Sequence, residues 1–208
     1  MNKITHLFIF DLKLLRYLYI FPFLFYGLSF FLILLFGERF DDPFMPYISV
    51  QGLAVPMAGW HLVFIYNSVF EEGSKETLIR YYRKNIIFDI TRHFLLHGIF
   101  ISLLTSLTIS LKGIDFFSGV LFVHLLMLYI FFLLIGIAIL SATESLDITL
   151  AIIAAYTFIE VITQGTFMPW PHLFIFEEPV NNLSLYLTFF SLMAGIIYSI
   201  IQLWVKFK

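Results

Sequence analysis

Few side chains in this 208-residue chain could do chemistry, and most of them fall inside apolar runs. His93 and His97 stand four apart, with Asp89 and Arg92 just ahead of them. Imidazoles at that spacing share a helix face and can hold a metal. That is the donor pattern of a membrane-embedded, metal-dependent hydrolase. The residues between them, Phe94, Leu95 and Leu96, supply no glutamate base, and no third ligand is visible in the sequence. Hydrogen-bonded packing is therefore the better reading, and no metal site and no catalytic residue are assigned. Glu160, Gln164, His61 and His124 also interrupt apolar runs. Ionisable groups inside a membrane are costly and are functional candidates by default. Glu160 and Gln164, four apart, would share a face. They read either as lining a substrate path or as a carboxyl and amide bonded to a neighbouring helix. A lone histidine such as His61 or His124 more often packs through a hydrogen bond than binds a ligand.

These residues need elements to position them, and the composition says which. The chain is 61% hydrophobic and 12% charged, with 27 phenylalanines. A soluble domain carries roughly 25% charge, so the solvent for most of this surface is lipid. A net charge of −2 gives no electrostatic case for nucleic acid. There is no cysteine, hence no disulfide framework or thiolate site. Six runs approach the roughly 20 apolar residues that a bilayer-spanning helix needs. They cover about 17–36, 47–70, 86–111, 116–140, 148–166 and 183–205, so the expected fold is a single all-α transmembrane domain of six helices.

Before the first run, Ile4, Leu7, Phe8, Leu12 and Leu15 recur at helical spacing, interrupted by Asp11. They form either a helix lying on the membrane surface or an extension of the first span. The charges Lys3, Asp11, Lys13 and Arg16 and the lack of a small-residue cleavage site argue against a cleaved signal. With both termini cytoplasmic, ten of the twelve Lys and Arg residues lie inside, leaving Arg39 and Lys112 outside. That asymmetry obeys the positive-inside rule. Residues 167–182 hold three prolines and Trp170, with apolar Leu173–Phe176 between them. They read as a segment lying in, or dipping into, the outer interface.

The longest polar excursion is Phe70–Arg92, FEEGSKETLIRYYRKNIIFDITR. Glu76 and Arg80 are spaced i, i+4 in the favourable order, and 77–84 can form a short helix. Leu78, Ile79, Tyr81 and Tyr82 would anchor it, as in a docking element. A solvated loop that only sets topology is the simpler alternative. Glu71-Glu72 are also paired as in some intramembrane proteases, but Glu76 stands where that chemistry places an arginine.

The stretch Glu72-Gly73-Ser74-Lys75-Glu76-Thr77-Leu78 resembles the E-x-x-G-(S/T)-L-E-x-L segment after the second helix of ABC-2 type permeases, the membrane subunits of ABC exporters. Arg83-Lys84-Asn85-Ile86-Ile87 is similar to that family's basic turn into its third helix. Tyr81-Tyr82 depart from the proline or small residues usual there. The resemblance implies a surface-lying N-terminal helix, a coupling helix between spans two and three, and a re-entrant outer segment between spans five and six. It also implies that Glu71, Glu72, Gly73, Glu76, Thr77, Leu78, Arg80, Tyr81 and Tyr82 meet a separate ABC ATPase subunit. This chain has no G-x-x-x-x-G-K-(S/T) loop, so ATP and Mg²⁺ would be bound by that partner and no cofactor by this chain. A second permease chain, as homodimer or heterodimer, would complete the assembly in the cell membrane, with lipid around it. The cargo implied by analogy is hydrophobic or amphipathic, a peptide first, with haem or a lipid as alternatives.

Overall fold

Arg16 adopts a left-handed backbone, φ 50°, which ends the helical path running up to it. The N-terminal helix α1, Lys3–Leu15, is thereby separated from the first span by a 3₁₀ turn, Arg16–Tyr19. The expected start of span one near residue 17 moves to Phe21 for this reason. Pro22 sits in the first turn of that helix, where its missing N–H costs nothing. The structure, a computed structural model, describes residues 3–71, 85–166 and 172–208, apart from the side chains of residues 3–7, 68 and 71.

All described regular structure is helical, and six helical stretches are long and apolar enough to cross a membrane. This is a multi-pass membrane protein. Span one is α2, Phe21–Arg39. Span two begins as α3, Phe44–Ser49, passes through a π turn, Val50–Ala54, and a 3₁₀ turn, Val55–Gly59, and ends as α4, Trp60–Glu71. Span three is α5, Ile86–Lys112; span four is α6, Gly119–Thr143; span five is α7, Leu146–Thr163; span six is α8, Leu183–Lys206. These boundaries lie within a few residues of the hydropathy runs.

Span two is the axis of the bundle. In its most apolar 18-residue stretch 72% of the residues are buried, against 11% in that of span five and 17% in that of span six. Its broken middle follows from Pro56, which cannot donate the N–H a regular helix needs there. Lipid tails are as apolar as leucine, so packing rather than hydrophobic expulsion holds membrane helices together. Small residues permit the closest approaches. A Cβ on Gly59 would collide with the carbonyl oxygen of Phe132 in span four, and one on Gly195 in span six with the ring of Phe131. Span four is thus gripped from both sides.

The helix α1 and the C-terminal end of α8 lie at one end of the bundle, beside the end of span two and the start of span three. There Phe207 sets its ring edge-on to Tyr66 and Phe70, and Lys206 pairs with Glu144 at 2.8 Å. At the far end Lys112 donates to the carbonyl of Phe40. Helix starts there and elsewhere are capped as sequence chemistry prescribes, with Ser118, Ser145 and Asn182 each accepting from a first-turn N–H.

Candidate functional site

Two buried polar clusters occupy opposite ends of the bundle. The first surrounds residues 172–176, which precede span six. Leu173, Phe174 and Ile175 are buried in backbone without regular secondary structure that enters the bundle. Such backbone cannot satisfy its own N–H and C=O groups and tolerates membrane depth only where protein supplies partners. Three spans supply them. Glu160 of span five accepts from the backbone N–H of Leu173 at 2.6 Å and of Phe174 at 3.0 Å, both on Oε1. Gln51 of span two accepts from the N–H of Ile175 at 3.1 Å and donates to its carbonyl at 2.5 Å. His124 of span four places Nε2 2.7 Å from the carbonyl of Leu173, so that nitrogen carries the hydrogen. Phe174 then stacks on Phe132, with ring centroids 6.0 Å apart.

Two of the sequence candidates, Glu160 and His124, therefore meet at one segment. Gln164 does not join them. Span five stops at Thr163, and Gln164 is a left-handed cap residue, φ 48°, exposed to solvent. The helical periodicity that would put it above Glu160 has ended by then. Gln164 instead lines a cavity of about 360 Å³ at that end of the bundle with His172, Glu177, Glu178 and Asn182. Gln51 was not foreseen. The signal was available, because a glutamine beside Gly52 and five residues before Pro56 marks broken helix inside an apolar run.

The second cluster lies at the termini end and contains His61. His61 Nε2 is 2.9 Å from the carbonyl of Tyr19, so Nε2 carries the hydrogen and Nδ1 accepts. Among the described residues the donor for Nδ1 is His97 Nε2, 3.1 Å away. His97 Nδ1 must then accept from the Tyr26 hydroxyl at 2.6 Å. One carbonyl fixes the tautomers of two histidines and the direction of the whole chain. His93 sits beside this chain, its ring centroid 5.5 Å from that of His61. Its Nδ1 donates to the carbonyl of Asp89 at 2.9 Å.

An ion triad adjoins the histidines. Arg92 of span three pairs with Asp11 of α1 at 2.5 Å and with Asp89, one turn back, at 2.9 Å. Tyr66 of span two donates to the other oxygen of Asp89 at 3.1 Å. The Arg92 guanidinium also lies 5.1 Å from the centroid of the Phe8 ring, a cation–π contact that adds a second tether to α1. Burial pushes the Asp11 carboxyl up to about 6, against the opposing pull of Arg92.

His93 and His97 share the helix face that their spacing predicts, with ring centroids 6.1 Å apart. Among the described residues no group of three or more His, Cys, Asp or Glu is placed to hold a metal ion. Both nitrogens of His97 are engaged in hydrogen bonds.

Between spans one, two and five runs an apolar groove of about 630 Å³. Phe21, Phe25 and Phe36 form one wall, Leu150, Phe158 and Ile162 the other. Its lining is almost wholly hydrocarbon, Ser49 and Thr157 being the polar exceptions. The coupling-type residues Glu72, Gly73, Glu76, Thr77, Leu78, Arg80, Tyr81 and Tyr82 lie outside the described residues, as does the side chain of Glu71. So do residues 167–171 of the segment before span six. Comparisons with protein-family models, with curated proteins and with solved structures find no match to this chain.

Proposed function

We propose that this chain is the permease subunit of an ATP-driven exporter of the ABC-2 type, working with a separate ABC ATPase and a second permease chain. The observation that carries the reading is the ion triad. Asp11, Arg92 and Asp89, with Tyr66, tie together the N-terminal helix, the end of span two and the start of span three. Residues 72–84 link those same two spans. A force applied to that link by a partner reaches three helices at once. At the other end of the bundle, 172–176 is held by Gln51, His124 and Glu160 from three spans, the arrangement expected of an element that closes the far side.

The ten-to-two split of basic residues favours cytoplasmic termini and insertion in the cell membrane. ATP and Mg²⁺ belong to the partner ATPase. The apolar groove favours a hydrophobic or amphipathic cargo, with a peptide first among the candidates. The test is co-purification of a tagged chain from its native membrane, followed by ATPase assay in vesicles. An ATP-binding subunit should come down with the chain and hydrolyse ATP faster in its presence. Recovery of the chain with no ATPase, and no stimulation of any candidate subunit, would overturn the reading.

A further inference from the structure

His93 is fully buried, and its Nε2 has no hydrogen-bond partner. Its other nitrogen is committed to the Asp89 carbonyl, so Nε2 carries the lone pair. The group it faces is Asp11 Oδ2, 3.8 Å away. His61 and His97 differ from it, since each already uses both nitrogens. Protonating either would set N–H against N–H or against a donating hydroxyl. Nε2 of His93 is thus the place among these imidazoles where a proton adds without breaking a hydrogen bond.

The net charge of the cluster favours a proton shared between this nitrogen and Asp11 Oδ2, although the Arg92 guanidinium opposes a charge on the imidazole itself. Among the described residues, the titratable and charged groups facing the pair are Tyr19 from the 3₁₀ turn, His61 and Tyr66 from span two, and Asp89, Arg92 and His97 from span three. Among the described residues, with the histidines neutral, Asp11, Asp89 and Arg92 sum to one net negative charge in a buried site. Burying net charge is costly, and one proton brings the cluster to neutrality.

We propose that Asp11 and His93 form a one-proton site that latches the N-terminal helix to span three, closed when the proton is bound between Oδ2 and Nε2 and loosened when it leaves. Among the described residues, Asp11 reaches span three through Arg92 and this proton. Without it, two carboxylates share a single guanidinium. The upward displacement of the Asp11 carboxyl to about 6 puts the transition in a physiological range. The latch concerns the N-terminal helix alone and stands whether or not an ATPase is the partner.

The chain has no cysteine, so single-cysteine variants report cleanly. Leu15→Cys probes a buried position on α1 and Leu12→Cys an exposed one. The ratio of their maleimide labelling rates, in the purified full chain, cancels the thiol's own titration. The ratio should be low at pH 5.5 and rise with pH, by up to about tenfold per pH unit near the midpoint, the limit for one proton. Asp11→Asn, whose amide can donate to Nε2, should hold the ratio low at every pH. His93→Leu should move the midpoint down by about one pH unit or more, because the acceptor is gone. His93→Gln serves the same purpose if the leucine variant fails to reach the membrane. A pH-independent ratio in the parent chain, a midpoint unmoved by both His93 variants, or a pH response surviving in Asp11→Asn would each overturn the proposal.

Discussion

The side chain of Gln51 bonds to both backbone groups of Ile175, 124 residues away, as a neighbouring β-strand would. The two-point contact fixes the depth of the segment in the bundle. Gln51→Leu keeps the volume but leaves an N–H and a C=O unpaired among Leu173, Phe174 and their neighbours. An unsatisfied buried group costs about 1–3 kcal/mol. The variant should insert normally yet melt at lower temperature in detergent, and a cysteine at Ile175 should label faster than in the parent.

Glu160 admits a sharper comparison. Oε1 accepts two backbone N–H groups, and the side-chain oxygen of a glutamine could accept them too. Glu160→Gln should retain most of the stability, whereas Glu160→Ala should lose about 1–3 kcal/mol for each donor left unpaired. Equal losses in thermal unfolding would show that the negative charge, rather than the acceptor oxygen, matters.

Arg92 holds two carboxylates from different elements. Removing one partner of a buried ion pair costs about 3–5 kcal/mol because the other charge remains. Arg92→Ala should therefore be among the most damaging single changes, and Asp11→Asn in the same chain should recover part of the loss. The pH response has a definite sign. The folded state holds a proton on Asp11 up to about pH 6, whereas an unfolded carboxyl releases it near 3.8. Folded protein thus binds more protons between those values, so this group's contribution falls as pH rises through that window. Thermal unfolding from pH 4 to pH 7 should show the trend, and Asp11→Asn should remove it.

Gly59 tests the packing of spans two and four. Gly59→Val would force side-chain atoms against the Phe132 carbonyl, whereas Gly27 has open space around it. The first substitution should cost about 1–3 kcal/mol, and Gly27→Ala should be close to neutral. Comparable effects at both sites in thermal unfolding would count against tight contact at Gly59.

The link between spans two and three is tested by function. Under the proposed reading, Glu72→Ala or Glu76→Ala should reduce recovery of an ATPase subunit on a tagged chain while membrane insertion stays intact. Failure to insert would instead favour a loop that only sets topology.

The number and approximate bounds of the spans were legible because bilayer thickness writes itself directly into run length. The special standing of Glu160, His61 and His124 was legible for a related reason, since a polar side chain in hydrocarbon must find a partner. The partners were not. Asp11 read as an interruption of an apolar stripe, and nothing local announces that Arg92, 81 residues on, neutralises it. The break at Arg16 was equally hidden, because arginine has no intrinsic preference for a left-handed backbone. Gln164 failed in the opposite sense, since a face argument assumes a helix that continues.

The enclosure of residues 172–176 also constrains biogenesis. Their hydrogen-bonding partners come from spans two, four and five, which are synthesised earlier. The segment can reach its place only after those three helices have gathered, so its burial belongs to the closing stage of assembly. A nascent chain arrested before span six should already be inserted, yet should leave Gln51, His124 and Glu160 facing one another across an unfilled opening.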